Sequence, residues 1–178
     1  MLQDHPNTDE IIEEVGKLIE KNKDVAFLVP GDITFFAPFQ DIIDRFRDNS
    51  IVVPGVSSIN YAASVMKKTL TPSPGSRSLV IFSIYSLEKH FNKNNFKDIL
   101  TKSDSAVIFM NTWPLKKLKK ELEKIYGDNF PFGVFRRLSF PDESFIIGRS
   151  EDWTGDWGEG RLDLIIVGPA LEGWKRDL

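Results

Sequence analysis

From Asn7 the chain reads NTDEIIEEVGKLIEK. Ile11, Ile12, Val15, Leu18 and Ile19 recur at the spacing of one helix face, and Asn7 and Glu10 stand as in a capping box, so a helix is predicted. The polar link Lys21-Asn22-Lys23-Asp24 leads into VAFLV (25–29), a continuous apolar run of strand length that stops at Pro30-Gly31-Asp32. PFQDIIDRFRD (38–48) reads as a second helix. IVV (51–53) reads as a short strand meeting Pro54-Gly55, and INYAASVMKK (59–68) as a helix that Ser57 or Ser58 can cap. Strand, tight polar loop and helix in repetition imply a parallel sheet covered by helices, with the strand-end loops on one edge. Ligands of open α/β sheets sit outside the carboxyl ends of the strands, which makes Gly31-Asp32 a candidate binding loop.

TLTPSPGSR (69–77) has the composition of a linker, and a domain boundary is expected there, between residues 1–72 and 73–178. Beyond it the pattern predicts a strand over SLVIFSI (78–84), a polar helix near Asn94 to Lys102, a strand over SAVIFM (105–110) and a helix over PLKKLKKELEKIYG (114–127). Strands FGVFRRL (132–138) and SFIIGR (144–149) flank a Pro-Asp turn, and LDLIIVG (162–168) is the last. A hairpin of that kind is antiparallel, so the second sheet is expected to be mixed. The expected fold is α/β, with two small α/β domains, a parallel sheet in the first and a mixed sheet in the second.

Composition narrows the chemistry. With 178 residues, 41% of them hydrophobic, the chain can bury a substantial core. Charged residues make up 28% and nearly cancel to a net of −3, which argues against an electrostatic nucleic-acid binder. Residues 1–72 hold seven Lys and Arg against eleven acids, and residues 73–178 sixteen against fifteen, so the second half suits an anionic ligand better. Without cysteine there is no disulfide, thiolate ligand or sulfur nucleophile. The acidic amino terminus is not that of a signal peptide and no run has membrane-span length, so a soluble, cytoplasmic protein is expected.

No GxGxxG follows a strand and there is no GxxxxGK[ST]; Gly158-Glu159-Gly160 is too short to count. His5 and His90 lie far apart, which leaves neither a metal site nor a Ser-His triad to expect. Lys116, Lys117, Lys119 and Lys120 alternate with Leu115, Leu118, Leu122 and Ile125, the pattern of a solvated face over a core stripe. Taken singly, Gly31-Asp32 also fits a plain turn, Ser57 an N-cap, Met110 a buried strand residue, and Phe35, Phe36 and Phe39 core residues. What remains is a set of strand-end loops rich in Gly, Ser and Asp, with no nucleophile or proton shuttle to assign. Such loops suit a reaction whose reactivity resides in a cosubstrate and whose protein contributes orientation, and methyl transfer from a sulfonium fits.

Taken in order, VAFLVPGDITFF, VVPGVSSINYAA, SAVIFM, PFGVFRRLSFPDESFIIG and LDLIIVGPAL resemble the tetrapyrrole methylase family, which includes the precorrin and uroporphyrinogen methyltransferases. The resemblance covers nearly the whole chain from about Asn7. It implies S-adenosylmethionine folded in a cleft between two α/β domains, with S-adenosylhomocysteine as product and a tetrapyrrole in an adjoining trough. Carried over by position, it places Pro30, Gly31, Asp32, Phe35, Ser57, Ser58, Met110 and Leu138 at the cofactor.

A polycarboxylate macrocycle calls for cationic forks. Arg77, Arg136, Arg137 and Arg149 are the candidates, surface solvation being the plainer role for each. The resemblance also implies a homodimer and assigns no catalytic base, Asp32 being the loop carboxylate to test first. The family opens with a strand and a GxGPGD-like loop, and this sequence is expected to start after them; Ile33 replaces a usual proline and Asn111 a usual glycine. Two further readings stay open: a truncated, non-catalytic fragment that binds cofactor or dimerises, and a methyltransferase acting on protein or ribosomal RNA.

Overall fold

The computed structural model describes residues 7–90, 95–160 and 162–174. His5 and the Asn94 start of the expected polar helix lie outside the described residues. The chain forms two compact units that divide between Ser57 and Ser58, ahead of the 69–77 segment, in which Leu70 is buried.

In the first unit, α1 (Thr8–Glu20) starts at Asn7, whose side chain accepts from the Asp9 N–H at 3.1 Å. Its apolar stripe is only partly covered: α1 packs against α2 (Gln40–Arg45), yet none of its residues is buried. The helix expected over 38–48 is shorter than its pattern, because after Phe46 the backbone tightens into a 3-10 turn, Arg47–Asn49. No parallel sheet forms among the described residues of this unit, contrary to expectation. Residues 25–29 and 51–56 carry strand-like sequence, but neither forms a ladder with any described strand. A β-ladder is a property of a pair, and without that pairing Leu28 and Ile51 stand 88% and 90% exposed.

The second unit is an α/β layer structure around one mixed five-stranded sheet, ordered β1-β2-β5-β3-β4. The strands are β1 (Leu79–Ser83), β2 (Ser105–Phe109), β3 (Pro131–Arg136), β4 (Ser144–Arg149) and β5 (Leu164–Val167). β1 and β2 are parallel, and β5 runs antiparallel to both β2 and β3, as β4 does to β3. Side chains alternate across the sheet. Val80, Phe82, Ala106, Ile108, Phe132, Val134, Ile165 and Val167 join one core with α4 (Ile84–His90), α5 (Asn95–Leu100) and α6 (Leu115–Tyr126). Leu79, Ile81, Val107, Phe135, Leu164 and Ile166 join a second core on the other face, closed by Ile59, Ala62 and Met66 of α3 (Ser58–Val65) and the turn after it.

The α6 pattern holds in its core stripe, with Leu115, Leu118 and Leu122 buried and Lys116, Lys117 and Lys120 facing water, but Lys119 is half-buried and donates to the Trp153 carbonyl at 2.9 Å. Its first N–H, from Leu115, donates to the Glu159 carboxylate at 2.7 Å. The helix α4 lies where the pattern continued the first strand through Ile84. Ser83 turns the chain there, its hydroxyl accepting from the Ser86 N–H at 3.2 Å.

Candidate functional site

In the first unit the apolar run 25–29 ends in a turn with Gly31 at φ +75°, a conformation that favours glycine. Asp32 Oδ1 accepts from the Thr34 N–H at 2.8 Å and the Thr34 hydroxyl at 2.7 Å, and the Phe35 N–H donates to the Asp32 carbonyl at 3.2 Å. The second loop meets this one main chain to main chain. A Cβ on Gly55 would lie 1.9 Å from the Gly31 carbonyl oxygen and 3.2 Å from Asp32 Cα, so only glycine permits the approach. The hydrogen bonds from Thr34, with a further backbone one from Gly55, hold the Asp32 carboxyl below its usual range. Asp32 therefore ties its own loop through Thr34.

Gly31 itself is open, with the Val56 carbonyl at 4.0 Å the nearest atom to a built Cβ. Pro30 and Phe35 are exposed, and so is Phe36. Burial, the simpler expectation for those two rings, fails because they sit on the turn; Phe39 is half-buried and meets Phe27 edge-on at 5.2 Å. Ser57 is buried at the end of the unit, and Ser58, half-buried, begins α3 in the next.

In the second unit the strand register sorts the candidates. Phe109 pairs with Ser83, Phe135 with Leu164, and Arg136 with Ser144, so Ser83, Met110 and the Arg136-Arg137-Leu138 corner share one sheet edge. Arg149 pairs with Pro131 and Arg77 precedes β1, so both lie at the opposite edge, a strand length of roughly 17 Å away. The first edge concentrates left-handed backbone at residues other than glycine: Met110 at φ 45°, Arg137 at 51° and Ser139 at 68°. Such conformations persist where surrounding contacts over-determine them, and they cluster at functional sites. Met110 is half-buried with its carbonyl accepting from the Tyr85 N–H, and Leu138 packs half-buried on the α3 core.

Three of the four arginines are engaged by carboxylates. Arg136 stacks on Trp157 at 4.7 Å, bonds Asp163 at 3.2 and 3.3 Å, and reaches Asp156 at 3.4 Å. Hydrogen bonding to Asp163 raises its already high pKa. Arg137 donates to Asp142 at 2.8 Å and lies over Phe140. Arg149 forks onto Glu172 at 2.8 and 3.1 Å. Arg77 is exposed, its N–H donating to Asp104 at 2.9 Å. Among the described residues no group of three metal-ligating side chains comes together.

Asn111 escaped notice as a site residue. It is 1% exposed, donates to the Trp113 and Gly158 carbonyls at 2.8 and 2.7 Å and accepts from the Trp113 N–H, fixing the backbone that follows Met110. Its position in place of a family glycine was the available signal.

Residues 3–153 match the Tetrapyrrole (Corrin/Porphyrin) Methylases. The chain belongs to that family. As a tetrapyrrole methylase it is a methyltransferase by descent, and its relatives agree. It is 28% identical over 171 residues to a precorrin-4 C(11)-methyltransferase of Sinorhizobium, covering 92% of this chain and 68% of that protein. A cobalt-precorrin-4 methyltransferase structure superposes with a TM-score of 0.79 at 18% identity, over 96% of this chain and 74% of the other. The uroporphyrin-III C-methyltransferase of Thermus thermophilus, complexed with S-adenyl homocysteine, superposes with a TM-score of 0.66 at 20% identity, covering 91% and 73%. Both superpositions agree with the α/β fold seen here. The chain spans about two thirds of the length of the curated relative.

Proposed function

We propose that this tetrapyrrole methylase transfers a methyl group from S-adenosylmethionine to a carbon of a precorrin- or uroporphyrinogen-type macrocycle, in corrin or sirohaem synthesis. The observation that carries the reading is the main-chain contact of the Gly31-Asp32 and Gly55 loops within a chain of this family. The donor set fits a cofactor held by backbone groups: Gly31 is open and its loop is fixed from behind by Asp32. S-adenosylmethionine, when bound, supplies an electrophilic methyl group on sulfonium. In the first unit Pro30, Gly31, Asp32, Phe35 and Ser57 are the residues assigned to it, and in the second Ser58, Met110 and Leu138. The chain orients and excludes water, and Asp32 keeps its carboxylate on Thr34 as a loop tie without moving a proton. Arg136 and Arg137, at the Leu138 corner, are favoured over Arg77 and Arg149 as macrocycle contacts, since they lie at the sheet end that also carries Met110, with β5 between the two strands.

We also read the protein as a cytoplasmic homodimer that uses neither nucleic acid nor membrane. The exposed Leu28, Ile51, Val53 and Val56 support association, and no described helix is long and apolar enough to cross a membrane. Calorimetric titration with S-adenosylhomocysteine tests the core of this reading. Saturable binding, weakened about tenfold or more by Asp32→Ala, is expected; absence of binding at high ligand concentration overturns it. Turnover is then assayed on precorrin and uroporphyrinogen acceptors, where binding without methylation of any of them would favour a non-catalytic role.

A further inference from the structure

We propose that Glu143 is a positioning residue for the cofactor, fastening the Leu138 corner to helix α3; the inference rests on the methyltransferase reading above. The corner between β3 and β4 contains two left-handed residues that are not glycine, Arg137 and Ser139, on either side of Leu138. Backbone of that kind holds its shape only when neighbouring groups impose it. Within the corner, the Phe140 N–H donates to the Arg137 carbonyl, the Glu143 N–H to the Phe140 carbonyl, and Arg137 to Asp142. These bonds shape the corner locally, and none of them reaches α3.

Glu143 supplies the attachment. Its Oε2 accepts from the Ser139 N–H at 2.8 Å and from the Tyr61 hydroxyl at 3.0 Å, a partner 82 residues away in sequence. Tyr61 stands one turn into α3, whose first residue is Ser58, and Leu138 packs on the same core as Ile59 and Ala62 of that helix. One carboxylate oxygen thus joins the backbone next to Leu138 to the helix that begins at Ser58, both assigned to the cofactor. A charged acceptor with two donors is directional, whereas the apolar packing beneath it is not. Loss of the bond leaves Leu138 on the core but frees its main chain.

Two readouts test the inference, both on the full chain well below its unfolding temperature. Amide hydrogen exchange reports the attachment itself: the Ser139 N–H is expected to lose protection in Glu143→Ala and in Tyr61→Phe, and unchanged protection overturns the inference whether or not any ligand binds. Calorimetry with S-adenosylhomocysteine reports its consequence. Glu143→Ala is expected to raise the Kd about tenfold, Glu143→Gln to recover most of that loss, and the Glu143→Ala/Tyr61→Phe double variant to bind no worse than Glu143→Ala, as members of one link do. A variant that lowers Tm yet binds as the wild type does would reduce Glu143 to a stabilising contact and overturn the proposal. Failure of the wild type itself to bind would instead overturn the cofactor reading.

Discussion

At the scale of a residue, Asp32 shows how an acid at a candidate loop can act on the loop itself. Its carboxylate oxygen collects the Thr34 N–H and hydroxyl, and these bonds favour the charged form. The folded pKa lies below the unfolded one, so the stabilisation is fully present above the ordinary aspartate value near 3.8 and is lost as pH falls through the lower native value. Wild type and Asp32→Ala are therefore expected to differ most in thermal stability at neutral pH and to converge as pH is lowered from about 4 towards 2. A gap that stays constant with pH would remove the carboxylate's charge from the account. Gly55 makes the same point sterically, since a methyl group at that position would overlap the Gly31 carbonyl.

At the scale of the element, register brings together what sequence spacing keeps apart. Asp163 precedes β5 and Arg136 ends β3, and the pairing of Phe135 with Leu164 sets them side by side, 27 residues apart in the chain. Asp163 is 3% exposed and also accepts from the Gly158 N–H at 3.0 Å, tying Gly158 to the sheet. Asp163→Ala strands a partly buried guanidinium and a buried N–H, and is expected to cost roughly 3 kcal/mol in urea unfolding. Asp156→Ala, on the same arginine but with its carboxylate 78% exposed, is expected to cost less than about 1 kcal/mol. Equal losses would show that burial does not decide between them.

No local pattern announces such a pair. The strands of the second unit were legible because SAVIF and LIIV are short, nearly continuous apolar runs, the pattern of a strand covered on both faces. VAFLV and IVV were just as legible as strand sequence, but whether they pair is decided elsewhere in the chain. The Gly31 loop was legible as a candidate, whereas the Tyr61–Glu143 link and Asn111 depend on contacts across tens of residues.

At the scale of the molecule, the two units differ in what they bury. Both cores belong to the second, with Leu118, Leu122, Phe132, Phe135, Ile165 and Ile166 fully enclosed. In the first, Ile42 is the one buried apolar residue among the described residues, against exposed Leu28, Ile51, Val53 and Val56. Ordering each residue costs about 1–2 kcal/mol of backbone entropy, which apolar burial at about 25 cal/mol per Å² must offset. The apolar burial that can offset this cost lies in the second unit and is scarce in the first. Residues 58–178 produced alone are therefore expected to unfold in a single cooperative transition. Because the urea m-value scales with the surface exposed on unfolding, the full chain should show an m-value close to that of the excised unit. An m-value that instead grows in proportion to chain length would mean that the first unit buries a core of its own in solution, through self-association or otherwise. Repeating the measurement over a range of protein concentrations separates those two cases, because only association makes the midpoint depend on concentration.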